Sequence, residues 1–173
     1  MLDDAVKKFL LNKEETSHLN FKLLHSWLKT FKVNIINSSI KNASALSTFN
    51  VIYVDLEHLN KHYKDELIFF IFIHEIAHYK RMCKLGKEKI LANLSLNDFD
   101  LFSDNIVSEE LIADRYASLL FYIFNGILYP REKTQRLTET FFKTIYKKNT
   151  IKYFNVINNS EENYNNFIKK IIN

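Results

Sequence analysis

Residues that break or bend a backbone are scarce in this chain. Two glycines and one proline stand among 173 residues. Glycine-dependent turns are therefore few, and helices are the natural way to build most of the fold. Cysteine occurs once, at Cys83, so no disulfide can form within the chain, and a reducing, cytoplasmic setting is expected. Long apolar runs are missing as well. The longest, LIFFIFI at 67–73, falls far short of the roughly 20 residues a spanning helix needs. The rival stretch YASLLFYIFNGILY at 116–129 is interrupted by Asn125 and Gly126. No membrane span is expected. The opening MLDDAVKKFLLNKEE sets acids before its lysines and has no apolar core, so it does not read as a signal peptide. Dense basic blocks are absent too. Lys and Arg number 24 against 20 Asp and Glu, a net +4 with a pI near 9.0, and the charges are scattered. That favours a solvated lysine-rich surface, and nucleic acid is not expected as a partner.

What the chain has in quantity is apolar bulk. Hydrophobic residues make up 47%, with 15 Phe and 9 Tyr, which marks a globular protein with one sizeable core. One domain over 1–173 is expected, α+β in class and mostly helical, with a small β-sheet or hairpin. The first thirty residues read as helical. Leu24, Trp27, Leu28 and Phe31 share a face there, and Ser17 is a plausible N-cap. VNII at 33–36 and FNVIYV at 49–54 read as two strands. Residues 65–84 read as a long helix opened by Asp65 and Glu66 and closed before Gly86. After a looser stretch, 107–125 make a second strong helix, with Ser108 as cap and Gly126 as stop. Pro130 can open a third, to about Lys148, and the Asn-rich tail returns to apolar residues as a closing helix, so 131–173 form a helical C-terminal region.

Within FFIFIHEIAHYKR, at 69–81, the most apolar segment carries His74, Glu75 and His78. On a helix, positions four apart rise about 6 Å and return to one face, so both rings can reach one ion at about 2.0–2.1 Å. Glu75 sits on the adjacent flank, placed to touch a water at that ion. HExxH on a helix thus combines two metal ligands with a general base. With 6 His and 12 Glu, such a pattern arises by chance in only about one chain in seventy. The bland alternative is a core hydrogen-bond network among the three. Burial of three polar groups in one turn costs about 1–3 kcal/mol each unless something satisfies them.

A catalytic zinc site needs a third protein ligand and an open position. Glu110, Ala113, Asp114 and Ala117 recur at i, i+3, i+4 and i+7, one helical face, and its alanines allow close approach of another helix. Glu110 is then the expected third ligand. Asp114 would accept the free ring N–H of a ligand histidine. Glu109, about 100° away, is the rival. Cys83 points away from His78 and is a poor ligand. His18, His25, His58 and His62 read as surface or packing residues, although His58 and His62 are also four apart.

At these residues the chain resembles the gluzincin metallopeptidases, most closely the HtpX family of membrane proteases and its CAAX-protease relatives. There an Asn-Ala pair leads through a β-strand to HExxH, and the third ligand lies in an ExxAD segment. The corresponding text here is NASAL (42–46), NVIYVD (50–55), HEIAH (74–78) and EELIADRYA (109–117). The likeness spans roughly 33–120, the metal-site core. It implies one zinc ion held by His74, His78 and Glu110, Glu75 as general base and acid, Asp114 behind a ligand ring, and a protein or peptide substrate. It also implies that FNVIYV is an edge strand pairing with that substrate. The membrane helices of that family are missing, so two soluble groups compete. These are phage-exclusion proteases of the Lit type and repressor-cleaving proteases of the ImmA/IrrE type. The latter usually place Ala after the ligand glutamate, where this chain has Leu111. The expected function is therefore a zinc-dependent endopeptidase, a hydrolase, or, by analogy with those soluble groups, a regulatory or phage-defence protease with one intracellular target. The alternative is a non-catalytic protein-binding module on the same fold. Tyr116, Tyr122, Arg115 or a residue of the tail are candidates for an extra oxyanion donor.

Overall fold

The computed structural model describes residues 1–40, 43–48, 50–85 and 99–129. They form a mostly helical α+β structure around a three-stranded mixed sheet. In chain order the elements are α1 (Asp4–Thr16), α2 (Phe21–Leu28), β1 (Asn34–Asn37), β2 (Ala45–Ser47), β3 (Val51–Val54), α3 (Leu56–His62), α4 (Asp65–Leu85) and α5 (Phe99–Asn125). The helices expected after Pro130 lie outside the described residues.

The helical start divides in two. Asp3 caps α1, its carboxylate accepting from the Val6 amide at 2.8 Å. Ser17, expected as an N-cap, instead ends α1 in extended backbone. Asn20 opens α2 by accepting from the Leu23 amide at 3.0 Å. A side-chain carbonyl on the residue just before the new helix does better than a serine four residues before it, because only the former reaches the first free N–H groups.

The sheet order is β1-β3-β2, with β1 parallel and β2 antiparallel to β3. The two expected strands are therefore neighbours, but parallel ones, and the hairpin is formed by β2 and β3. β3, the part of the expected edge strand that is described, is the centre of the sheet and is paired on both sides. One face of β3 packs on the core: Ile52 and Val54 are buried while Val51 and Tyr53 are only partly covered. On the far side of β1, Leu2 bridges Ile35, so the open edge among the described residues is β2. Asp55 then caps the short α3, accepting from the His58 amide at 2.9 Å.

Helix α4 is the centre of the molecule. Leu67, Ile68, Phe69, Phe70, Phe72, Ile73, Ile76 and Ala77 are all buried, so the helix is apolar nearly all round and must be covered on every side. The β2–β3 hairpin covers one side and α5 another. Phe69 meets Phe21 and Phe121 edge-on at 5.0 and 5.5 Å. Each such burial stabilises by roughly 1.5–3 kcal/mol. Phe69 beside Phe121, His74 beside Asp114 and Arg81 beside Glu109 show that α5 runs antiparallel to α4. Helix α5 begins at Phe99, so position 108, expected as its cap, lies inside the helix and not at its start. It ends at Gly126, whose φ of +67° suits glycine. Among the described residues, no helix is long and apolar enough to cross a membrane.

Candidate metal centre

The two buried helices carry polar groups where they face each other near the C-terminal half of α4. Small residues make this possible. Ala77, Ala113 and Ala117 are buried between the helices and bring the backbones close. His74 and His78 leave α4 side by side, with ring centroids 4.6 Å apart. Their Nε2 atoms stand 2.9 Å apart. From α5, Glu110 spans both: Oε2 is 3.1 Å from His74 Nε2 and Oε1 is 3.3 Å from His78 Nε2. Asp114, one turn on, places Oδ1 2.9 Å from His74 Nδ1. An Nδ1–H donated to Asp114 leaves the Nε2 lone pair of His74 facing His78 and Glu110.

One donor atom each from His74, His78 and Glu110 thus lies within 4.8 Å of the others. An ion bound tetrahedrally at about 2.0–2.1 Å holds its ligand atoms about 3.3 Å apart. The separations of 2.9, 3.1 and 3.3 Å come close to that without rearrangement of the helices. The electrostatics favour positive charge at the same point. Burial disfavours a charged His74, yet Asp114 and Glu110 hold its ring well above the ordinary value of 6.5. Burial likewise pushes the Glu110 carboxyl up, but hydrogen bonds from His74 and His78 pull it well below its ordinary 4.5. Side-chain exposures of 15% for His74, 17% for His78 and 31% for Glu110 leave the cluster partly accessible to solvent.

No protein-family model, curated protein or solved structure matches the chain.

Glu75, beside the cluster, is buried, and Ser47 at the end of β2 approaches its Oε2 to 2.6 Å. The rival residue Glu109 is turned elsewhere. Arg81 Nε and Nη2 donate to its two oxygens at 3.0 and 2.7 Å, a paired contact between α4 and α5 just outside the cluster. All five expected site residues therefore gather at the α4–α5–β2 junction, with Glu110 rather than Glu109 beside the histidines. The Tyr116 hydroxyl accepts from Lys80 Nζ at 2.8 Å. Cys83 is exposed on α4. His25 serves packing, its Nδ1 2.8 Å from Glu14 across α1 and α2. Two participants have no counterpart in the sequence reading. Arg81 carries a local hint, a cation one turn past His78 on a helix whose partner opens with paired acids. Ser47 carries none, because only the sheet topology brings it to Glu75.

Proposed function

We propose that this chain is a zinc-dependent endopeptidase that hydrolyses a peptide bond in a protein substrate. The convergence of His74 Nε2, His78 Nε2 and the Glu110 carboxylate from two helices supports the reading above all. Two imidazoles and one carboxylate form a donor set suited to zinc, with room left for a water or a substrate carbonyl. Bound there, zinc supplies Lewis acidity, which activates water near neutral pH and polarises a carbonyl.

The chain's own residues do the rest. Glu110 and the two rings hold the ion, and Asp114 fixes the His74 ring by taking its Nδ1–H. Glu75 accepts a proton from the attacking water at its carboxylate and hands it to the departing amine nitrogen. The open edge of β2 offers backbone N–H and C=O groups to an extended peptide, and Ser47 at its end lies against Glu75, so a strand paired there runs past the base. The non-catalytic alternative has no use for a carboxylate placed and bonded as Glu75 is.

The test uses zinc-loaded protein and a mixture of proteome-derived peptides, with new termini read by mass spectrometry. Wild type is expected to cut, and Glu75→Gln to keep its zinc yet lose cutting by at least a hundredfold. Cutting by Glu75→Gln within a few-fold of wild type would overturn the assignment.

A further inference from the structure

A buried carboxylate on a flexible side chain needs something to hold it. Glu75 is 9% exposed, and a glutamate has three torsions to fix before its oxygens occupy one place. Ser47 Oγ is 2.6 Å from Glu75 Oε2 and 2.8 Å from Glu75 O. The carbonyl has little need of it, because a mid-helix C=O already accepts the N–H four residues on. The carboxylate does need a donor, since an unpaired buried charge is costly. The shorter of the two contacts, 2.6 Å, is also the length of an O–H···O⁻ bond.

We propose that Ser47 is a positioning residue for Glu75, holding its carboxyl in one place while Glu75 takes up and gives back a proton. This rests on the peptidase reading of the site. A hydroxyl has one proton and two lone pairs. While Glu75 is ionised, Ser47 donates to Oε2. Once Glu75 carries the proton from water, it donates to Ser47 Oγ, and Ser47 donates to the Glu75 carbonyl. Ser47 turns its hydroxyl between two acceptors already in reach and neither gains nor loses a proton. The arrangement also ties the base to β2, the strand offered to the substrate, so base and substrate share one frame.

The test avoids the unknown substrate. The cobalt-loaded protein is titrated with acetohydroxamate, whose acidic hydroxyl proton needs a base beside the metal, and binding is followed by visible absorption. Five variants join wild type: Ser47→Ala, Ser47→Val, Ser47→Thr, Glu75→Gln and Ser47→Ala/Glu75→Gln. Ser47→Ala is expected to take up cobalt as wild type does but to bind acetohydroxamate roughly tenfold or more weakly. Ser47→Thr should return to within a few-fold. Its isostere Ser47→Val should not, which separates the hydroxyl from strand packing even where the alanine variant folds poorly. In the Glu75→Gln background, Ser47→Ala should cause no further loss. Binding by Ser47→Val equal to that of Ser47→Thr, or an equal loss with and without Glu75, overturns the role of Ser47. A wild-type chain that takes up no cobalt, or that takes it up and ignores the hydroxamate, overturns the peptidase reading itself and this inference with it.

Discussion

The molecule carries two histidine pairs at the same spacing. His58 and His62 on α3 have ring centroids 4.5 Å apart, and His74 and His78 on α4 have theirs 4.6 Å apart. Everything else about them differs. Helix α3 is seven residues long, His62 is exposed, and the neighbouring Asp55 caps the helix through the His58 amide. Helix α4 is buried, and a second helix lays Glu110 and Asp114 against its two rings. Among the described residues only the second pair gains a third converging donor. Spacing on one helix supplies two ligands. A site needs an element from elsewhere in the chain, held at the right depth by residues small enough to let it in.

The sharpest way to break this comparison is to remove each pair. His74→Ala/His78→Ala should lower bound zinc, read by elemental mass spectrometry, from about one per chain to none, while His58→Ala/His62→Ala leaves it at about one. Equal loss from both would mean that the second helix adds nothing. Next in size is Asp114→Asn. It keeps the ligands but weakens the acceptor behind His74, and competition with a chelator should show zinc held about 10–100 times more weakly.

A smaller effect follows from pH. In metal-free protein, the lowered Glu110 carboxyl stabilises the fold above its ordinary 4.5, a contribution lost as pH falls. The raised His74 ring stabilises it below 6.5, a contribution lost as pH rises through the folded value. The cluster therefore supports the metal-free fold best between those two values, and zinc takes over where the proton leaves. The rise in Tm on adding zinc should grow between about pH 6 and 8 in thermal melts. A rise that shrinks with pH would place the controlling proton elsewhere. Smallest is Arg81→Ala. Its bond to Glu109 joins the same two helices, but both side chains are about one-third exposed, at 30% and 37%. A loss of only about 0.5–1 kcal/mol is expected in denaturant titrations.

Much of the helical framework was legible because its signals are local. The apolar density of 67–73 and the acids at 65 and 66 mark α4, and Gly126 marks the end of α5, each without reference to the rest of the chain. The face shared by Glu110, Ala113, Asp114 and Ala117 was legible for the same reason. Short elements were not. Ala45–Ser47 has three residues and no β-branched run, and Leu56–His62 has only two turns, so neither rises above its surroundings until neighbours pack on it. The pairing of β3 between β1 and β2 was not legible either. Strand order depends on contacts distant in sequence, and a strand's own residues do not name its neighbours.

By itself the sequence determined that α4 would be a buried helix with two rings and a carboxylate in one turn, since helical periodicity and hydrophobicity act within a few residues. It also determined that a second helix would carry two acids and two alanines on one face. Only the tertiary structure decided which acid meets the rings. Arg81 draws Glu109 to the flank, and the antiparallel packing of α5 on α4 carries Glu110 to the centre. It alone also brought Ser47 from a three-residue strand to the Glu75 carboxylate. Both depend on the register of elements packed across the core, a quantity no single segment of chain contains.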